Sequence, residues 1–409
     1  MRFAYVSSNY ASYLASLYAA HPVLALEPFA AQEQALYRHC FGWNGCWIEP
    51  MQTLGYEARD FYLDNPLLDQ AWRREHGGTS TPADSSAIAL QRIQEFAPDV
   101  VFFDHGDLEL LRAIRQLPAT SLVIGWEGGG LSRQACWPHL DLLLSCAPES
   151  VITIRAAGMP AEQMHHAFNP AVLERIGRPE RHNRIAFFGQ LVRGGDFHMR
   201  REMNLVQICA AGLPFDLYSP SYSFTPGQMS LARLKMVLRI LYRTAARVPG
   251  LRPRLARLPY GELARPEEPF PRLPVNPRLR ANLRPARFGL DMYSSIAQSS
   301  VCLNIHADNT PDYASNMRLF ETTGVATCLL TDRRRNIGEL FEPDKEIVVY
   351  ENLDDCIEKM RWLTDHPEKA REIGAAGQAR TLRDHTFAQR AGQLHEHIQR
   401  LMREKSVRL

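Results

Sequence analysis

The residues best suited to hold a charged ligand lie between positions 304 and 341. The run reads Asn304-Ile305-His306, a polar loop, Asn316-Met317-Arg318-Leu319-Phe320-Glu321, Gly324, then Leu329-Leu330-Thr331-Asp332 and Glu339-Leu340-Phe341. A strand ending at His306 and a helix opening near Ser315 leave free backbone N–H groups that favour phosphate oxygens. Arg318, in the first turn, adds a charge-assisted contact to a diphosphate, with Asn316 beside it. Glu321, one turn on, is placed to accept both hydroxyls of a ribose. The competing reading is a solvated ion pair between Arg318 and Glu321 at i, i+3.

Other candidates sit where apolar runs end. Asp104-His105-Gly106-Asp107 closes one run and Glu127-Gly128-Gly129-Gly130 closes the next. A carboxylate or histidine at such an end can act as a general base toward a hydroxyl, which makes Glu127, Asp104 and His105 the catalytic candidates. Glu127 ranks first, because the glycines that follow let a ligand approach the backbone. Asp104 or Asp107 would serve equally as a helix cap. Gly189 ends a further strand, and the glycine-containing loop 190–195 and its sequel offer Arg193 and Arg200 as phosphate partners. Gly42-Trp43-Asn44-Gly45 fits a turn at a cleft, contributed by Gly42 and Asn44, or a plain turn. His165-His166 reads as structural rather than as a metal site. The eight cysteines form no CxxC pair and no zinc spacing, which points to reduced thiols in a core. No serine nucleophile elbow and no P-loop is present.

These candidates need elements to position them. In the first half, continuous apolar runs at 2–8, 56–63, 100–104, 122–127 and 140–146 alternate with helical patterns at 86–96 and 108–116. Unbroken apolar strands are buried on both faces, and strand–helix alternation implies a parallel, doubly wound sheet. The polar stretch 174–183 reads as a linker. The pattern then restarts, with strands at 184–189, 214–218, 301–306, 326–331 and 347–350, and is helical from 354 onward. The expected division is an N-terminal Rossmann-like domain at 1–178, a second at 179–385, and a final helix at 386–409. Two such domains make a cleft that collects the loops at the carboxyl ends of both sets of strands.

The stretch 219–287 interrupts the second domain. It is rich in arginine and proline, with little strand pattern. Leu231, Leu234, Leu238, Leu241, Ala245 and Val248 recur at helical spacing and line one face. Arg233, Lys235, Arg239, Arg243 and Arg247 fall on the other side, and no acidic residue occurs over 229–258. Such a helix either packs on its own domain with a solvated basic face, or meets an anionic membrane or a partner.

The run Asn316–Glu321 with Gly324 and the Leu-Leu-Thr-Asp strand resembles the CgeB/YkvP-like group of family-1 glycosyltransferases. So do Leu340-Phe341-Glu342, the run Lys345-Glu346-Ile347-Val348-Val349-Tyr350, and the tail residues Ile373-Gly374, Gly377, His385-Thr386 and Arg390. The resemblance is concentrated in 293–390. It implies a GT-B fold in which the second domain holds a nucleotide-sugar donor, with Glu321 on the ribose and Asn316 and Arg318 by the diphosphate; His306, where the preceding strand ends, is a further candidate for binding the nucleotide-sugar. The acceptor would bind the first domain, to which the final helix would cross back as in similar enzymes; the basic helix suggests an acceptor at the membrane face, such as a glycolipid or a growing surface polysaccharide. Many retaining relatives carry a Glu-x7-Glu pair, whose first position is Tyr313 here. The related proteins are usually metal-independent, and no cofactor beyond the donor is expected. A double-Rossmann nucleotide-sugar epimerase, and a binding protein that has lost catalysis, are the rival readings.

Composition is consistent with this frame. Apolar residues make up 45% and charged residues 22% of 409, the balance of an ordinary globular protein. A formal net charge of +2 gives no reason to expect a nucleic-acid partner. No apolar run approaches the roughly 18 residues of a membrane span, and the N-terminal segment reads as a strand rather than a leader. The expected location is cytoplasmic, with the basic helix allowing peripheral attachment at the inner membrane face.

Overall fold

The computed structural model describes residues 1–76, 85–128, 130–191, 200–222, 226–248, 251–264, 276–308 and 310–408. The chain forms two six-stranded sheets, all of whose pairings are parallel. The first contains β1 (Arg2–Ser8), β2 (Glu57–Leu63), β3 (Val100–Asp104), β4 (Leu122–Trp126), β5 (Leu142–Ser145) and β6 (Ala161–Gln163), in the order β2-β1-β3-β4-β5-β6. The second contains β7 (His182–Phe188), β8 (Phe215–Ser219), β9 (Leu283–Pro285), β10 (Ser299–Asn304), β11 (Cys328–Asp332) and β12 (Val348–Tyr350), in the order β12-β11-β10-β7-β8-β9.

Apolar strand residues dictate the layers. Val100, Val101, Phe102 and Phe103 of β3 are all buried, because helices cover both faces of the sheet. Register pairs Phe3 with Val100 and Ser7 with Asp104, so β1 and β3 end level with each other. The strand order reverses there, since β1 lies between β2 and β3. In the second sheet the reversal falls between β7 and β10. In open α/β sheets a crevice forms at such a switch point, beyond the carboxyl ends of the strands.

The final helix, Phe387–Arg408, returns to the first sheet. Phe387, Ala391, Leu394, Ile398 and Leu401 repeat at four-and-three spacing and enter the same core as Phe3, Trp47 and Phe102. Phe387 meets Trp47 edge-to-face with ring centroids 5.2 Å apart. Where the chain crosses between sheets, Phe168 and Thr386 form an isolated bridge, and Arg390 donates to the carbonyl of His165 at 2.9 Å. Gly324 sits against this crossing, where a Cβ would lie 2.3 Å from the Phe168 ring.

The insertion differs from its sequence reading in two ways. First, it ends in a strand: β9 pairs Leu283 with Leu217 and extends the sheet edge. Second, Arg239 does not lie on a solvated face. It is 1% exposed and donates to the carbonyl of Leu263, while Leu234 and Leu241 of the apolar stripe are 48% and 56% exposed. The helix Pro226–Ala245 packs on the Gly261–Ala264 turn through the side that carries this arginine.

Candidate active site

Between the carboxyl ends of the two sheets lies a cleft of about 570 Å³, within the range of small-molecule sites. The first sheet contributes the ends of β1 and β3 and the Gly42–Asn44 turn. The second contributes the ends of β7 and β10 and the segment 315–321.

On the C-terminal wall, Asn316, Arg318 and Glu321 all line the cleft. The helix Arg318–Gly324 opens three residues later than the start expected near Ser315. Arg318 and Glu321 do form the i, i+3 ion pair, at 2.8 Å, but with side chains only 17% and 6% exposed it is not the solvated pair of the alternative reading. The Arg318 guanidinium lies over the Phe188 ring at 5.5 Å, and its Nε is buried without a hydrogen-bond partner. Asn316 donates to the side chain of Asn304 at 2.9 Å and so ties the helix start to the end of β10.

The second guanidinium here is Arg201, which sequence reasoning missed by one position. It begins the helix Arg201–Ala210 and reaches across to donate to the carbonyl of Ile305 at 2.8 Å. Its Nε is also buried and unpartnered. Burial lowers its pKa to about 10, opposed by the carboxylates of Asp308 and Asp332, with the like charge of Arg318 lowering it further. Two guanidiniums thus line the cleft, each with a buried Nε that lacks a hydrogen-bond partner. The helical phase is the only signal that could have separated Arg201 from Arg200.

Three neighbouring candidates do not line the cleft. Arg200 donates its backbone N–H to Asp308 at 3.2 Å, a surface contact. Gly189 closes β7, packed against Phe187. His306 turns inward, its side chain buried and its Nδ1 2.6 Å from Asp332. Burial opposes ionisation of Asp332, but the charge and hydrogen bonds of His306, with Arg334, outweigh it and hold the carboxyl below its usual range. Arg193 lies outside the described residues.

On the N-terminal wall, only Asp104 of the three catalytic candidates lines the cleft. It accepts from Arg133 at 2.6 Å and from the Tyr5 hydroxyl at 3.1 Å. Burial raises its pKa, against the lowering effect of Arg133. Glu127 turns to its own loop: Ser132 N–H donates to one oxygen at 2.9 Å and the Trp137 indole to the other at 3.1 Å. It holds its own loop closed. His105 pairs with Asp64 at 3.1 Å and accepts from the backbone of Asp107, which caps the following helix.

Gly42 and Asn44 do reach the cleft. Positive φ at Gly42 and Gly45 makes the turn, and it is anchored from below by the buried Asp60, which accepts from Gly45 N–H at 2.7 Å and from the Tyr62 hydroxyl at 2.8 Å. Burial pushes the Asp60 carboxyl up to about 7. Asn44 donates to Asn9 at 2.9 Å, leaving Asn9 Nδ2 buried and unpartnered. Trp43, Trp126 and His166 stack edge-to-face around them. Burial drives His166 down to about 3, so it is a neutral aromatic wall, with an unpartnered Nδ1. Sequence reasoning set it aside as structural, yet it lines the cleft. Glu149 bridges the two walls by accepting the backbone N–H groups of Asp312 and Tyr313, each at 3.1 Å.

Residues 239–396 match the model of a family described as glycosyl transferase-like. No curated protein matches the sequence. Among solved structures the chain is similar to a sucrose-phosphate synthase from Thermosynechococcus elongatus, at 9% identity and TM-score 0.50 over 99% of this chain and 100% of that one. It is also similar to HepE from Anabaena in complex with UDP-glucose, at 9% identity and TM-score 0.52 over 97% and 99%. A glycosyltransferase from Rickettsia africae matches at 8% identity and TM-score 0.50 over 98% and 99%. What these proteins share with the chain is the fold. It is the GT-B arrangement of two doubly wound Rossmann-like sheets facing a cleft, the architecture expected from the strand–helix alternation.

Proposed function

We propose that the protein transfers a sugar from a nucleotide-sugar donor to an acceptor hydroxyl, as a member of the CgeB/YkvP-like group. The observation that carries the reading is the pair of cleft-lining guanidiniums, Arg201 and Arg318, whose buried Nε atoms lack partners, beside the buried Glu321 carboxylate. A nucleoside diphosphate supplies what this wall lacks. Its diphosphate oxygens accept from the arginines, and its ribose hydroxyls donate to Glu321, with Asn316 fixing the helix start between them. No metal ion is assigned, because the two arginines neutralise the charge that grows on the leaving diphosphate.

The acceptor lies against the N-terminal wall, between Trp43, Trp126 and the Gly42–Asn44 turn. Asp104 takes the proton of the acceptor hydroxyl as its oxygen bonds to the anomeric carbon and the bond to the diphosphate breaks. Arg133 orients the carboxylate. Closure around the donor excludes water, which would otherwise hydrolyse it. A glycolipid or a growing surface polysaccharide is the acceptor class we favour, and UDP-glucose, the ligand of the HepE structure, is the first donor to try.

The test is nucleotide release from a panel of UDP-, GDP-, TDP-, ADP- and CMP-sugars, with wild type beside Glu321→Ala. Slow release from one donor, accelerated by acceptor, unchanged by EDTA and lost in the variant, is expected. Release of a rearranged sugar without acceptor would instead establish an epimerase. Binding with no turnover under any acceptor would leave a binding protein.

A further inference from the structure

The helix Pro226–Ala245 turns several of its apolar side chains away from the protein. Leu234, Val237, Ile240, Leu241 and, just beyond the helix, Val248 are between 48% and 56% exposed, whereas Arg239 fills the inner face at 1%. Amphipathic helices ordinarily bury the apolar side, so this inversion leaves an apolar strip in need of a cover. The charges around it say which. Positions 217–261 hold eight cations and no acidic residue, on a chain whose formal net charge is only +2, so the remainder is net acidic. Arg233, Arg243, Arg247, Arg254 and Arg257 are exposed.

We propose that this face docks on an anionic lipid bilayer, with the helix lying in the headgroup plane. The apolar strip enters the acyl boundary while the flanking arginines meet the headgroups. A second copy of the chain fits less well, because a twofold contact would set the same cations against each other. A nucleic acid would leave the apolar strip uncovered. No described helix is long and apolar enough to cross a membrane, so the contact is peripheral. The insertion leaves the sheet at the carboxyl end of β8, the end that carries the cleft loops. Docking there would bring the cleft rim to the bilayer, where a lipid-linked acceptor is presented. The inference deepens the proposed function, on which it rests only for what the bilayer presents.

The experiment is flotation of the full chain with vesicles of phosphatidylcholine alone or mixed with phosphatidylglycerol. Wild type should float with the anionic vesicles and remain unbound with the neutral ones. V237D/L241D should abolish flotation, and R243Q/R247Q should weaken it by roughly 25-fold, about five-fold per cation. All four side chains are exposed, and unchanged thermal unfolding would confirm intact folds. Wild type left unbound in both mixtures, or binding both equally, overturns the proposal. So does a concentration-dependent dimer that V237D/L241D dissolves while vesicles capture nothing. Flotation requires no nucleotide, so its failure and the failure of the donor-site reading are read independently.

Discussion

The two walls of the cleft are built on the same kind of sheet and offer a ligand different chemistry. The C-terminal wall presents Arg201 and Arg318 with buried donors left open. The N-terminal wall presents aromatic edges, Trp43, Trp126 and His166, around a carboxylate that is already hydrogen-bonded to Arg133 and Tyr5. One wall carries two cations suited to an anion; the other suits a neutral, hydroxyl-bearing molecule. The contrast assigns donor and acceptor to opposite sides, so that chemistry happens only when both walls are filled.

Five substitutions test that contrast. The largest effect is expected at Asp104. Asp104→Asn should lower kcat by about 10²–10⁴ and leave the affinity for donor unchanged, read by steady-state turnover beside equilibrium binding. A parallel loss of donor affinity would erase the division between the walls.

The next concerns what holds the N-terminal wall in place. The Asp60 pKa, about 7 in the fold, lies above the ordinary carboxylate value. Between those pH values the folded state binds a proton that the unfolded state has released. Stability from this group is therefore greatest at low pH and is lost as pH rises through about 7, an effect of a few kcal/mol. Asp60→Asn should flatten the dependence of unfolding free energy between pH 4 and 8, measured by urea denaturation. An unchanged slope would show that Asp60 is not the titrating anchor of the Gly42–Asn44 turn.

On the C-terminal wall, Arg201→Met or Arg318→Met should each weaken nucleoside-diphosphate binding by about 10–100-fold, the worth of a charged hydrogen bond, measured by calorimetry. The smallest effect is expected next door: Arg200→Ala should leave binding within about two-fold, because a surface contact contributes little. Equal losses at 200 and 201 would mean that helical phase does not select the ligand.

The strands were legible because burial on both faces writes unbroken apolar runs: the ranges 2–8 and 100–104 read from sequence coincide with β1 and β3. The three-residue edge strand β9, Leu-Arg-Pro, carries no such run and was not. Within the site, the Arg318–Glu321 segment stood out because residue types and helical spacing are local. Glu127 misled because its glycine tail marks a loop but not where the loop goes, and Ser132 and Trp137 take up the carboxylate. The basic helix showed its two faces in the sequence, yet not which one turns inward, since that depends on the carbonyl of Leu263 waiting for Arg239.

Calorimetric titration of UDP, GDP, TDP and ADP into wild type, R201M and R318M, each verified as folded by circular dichroism, tests whether the C-terminal wall holds the donor. One diphosphate should bind wild type and bind both variants at least about ten-fold more weakly. If none binds wild type, or if the variants bind as tightly, the assignment of the donor to the C-terminal wall is contradicted.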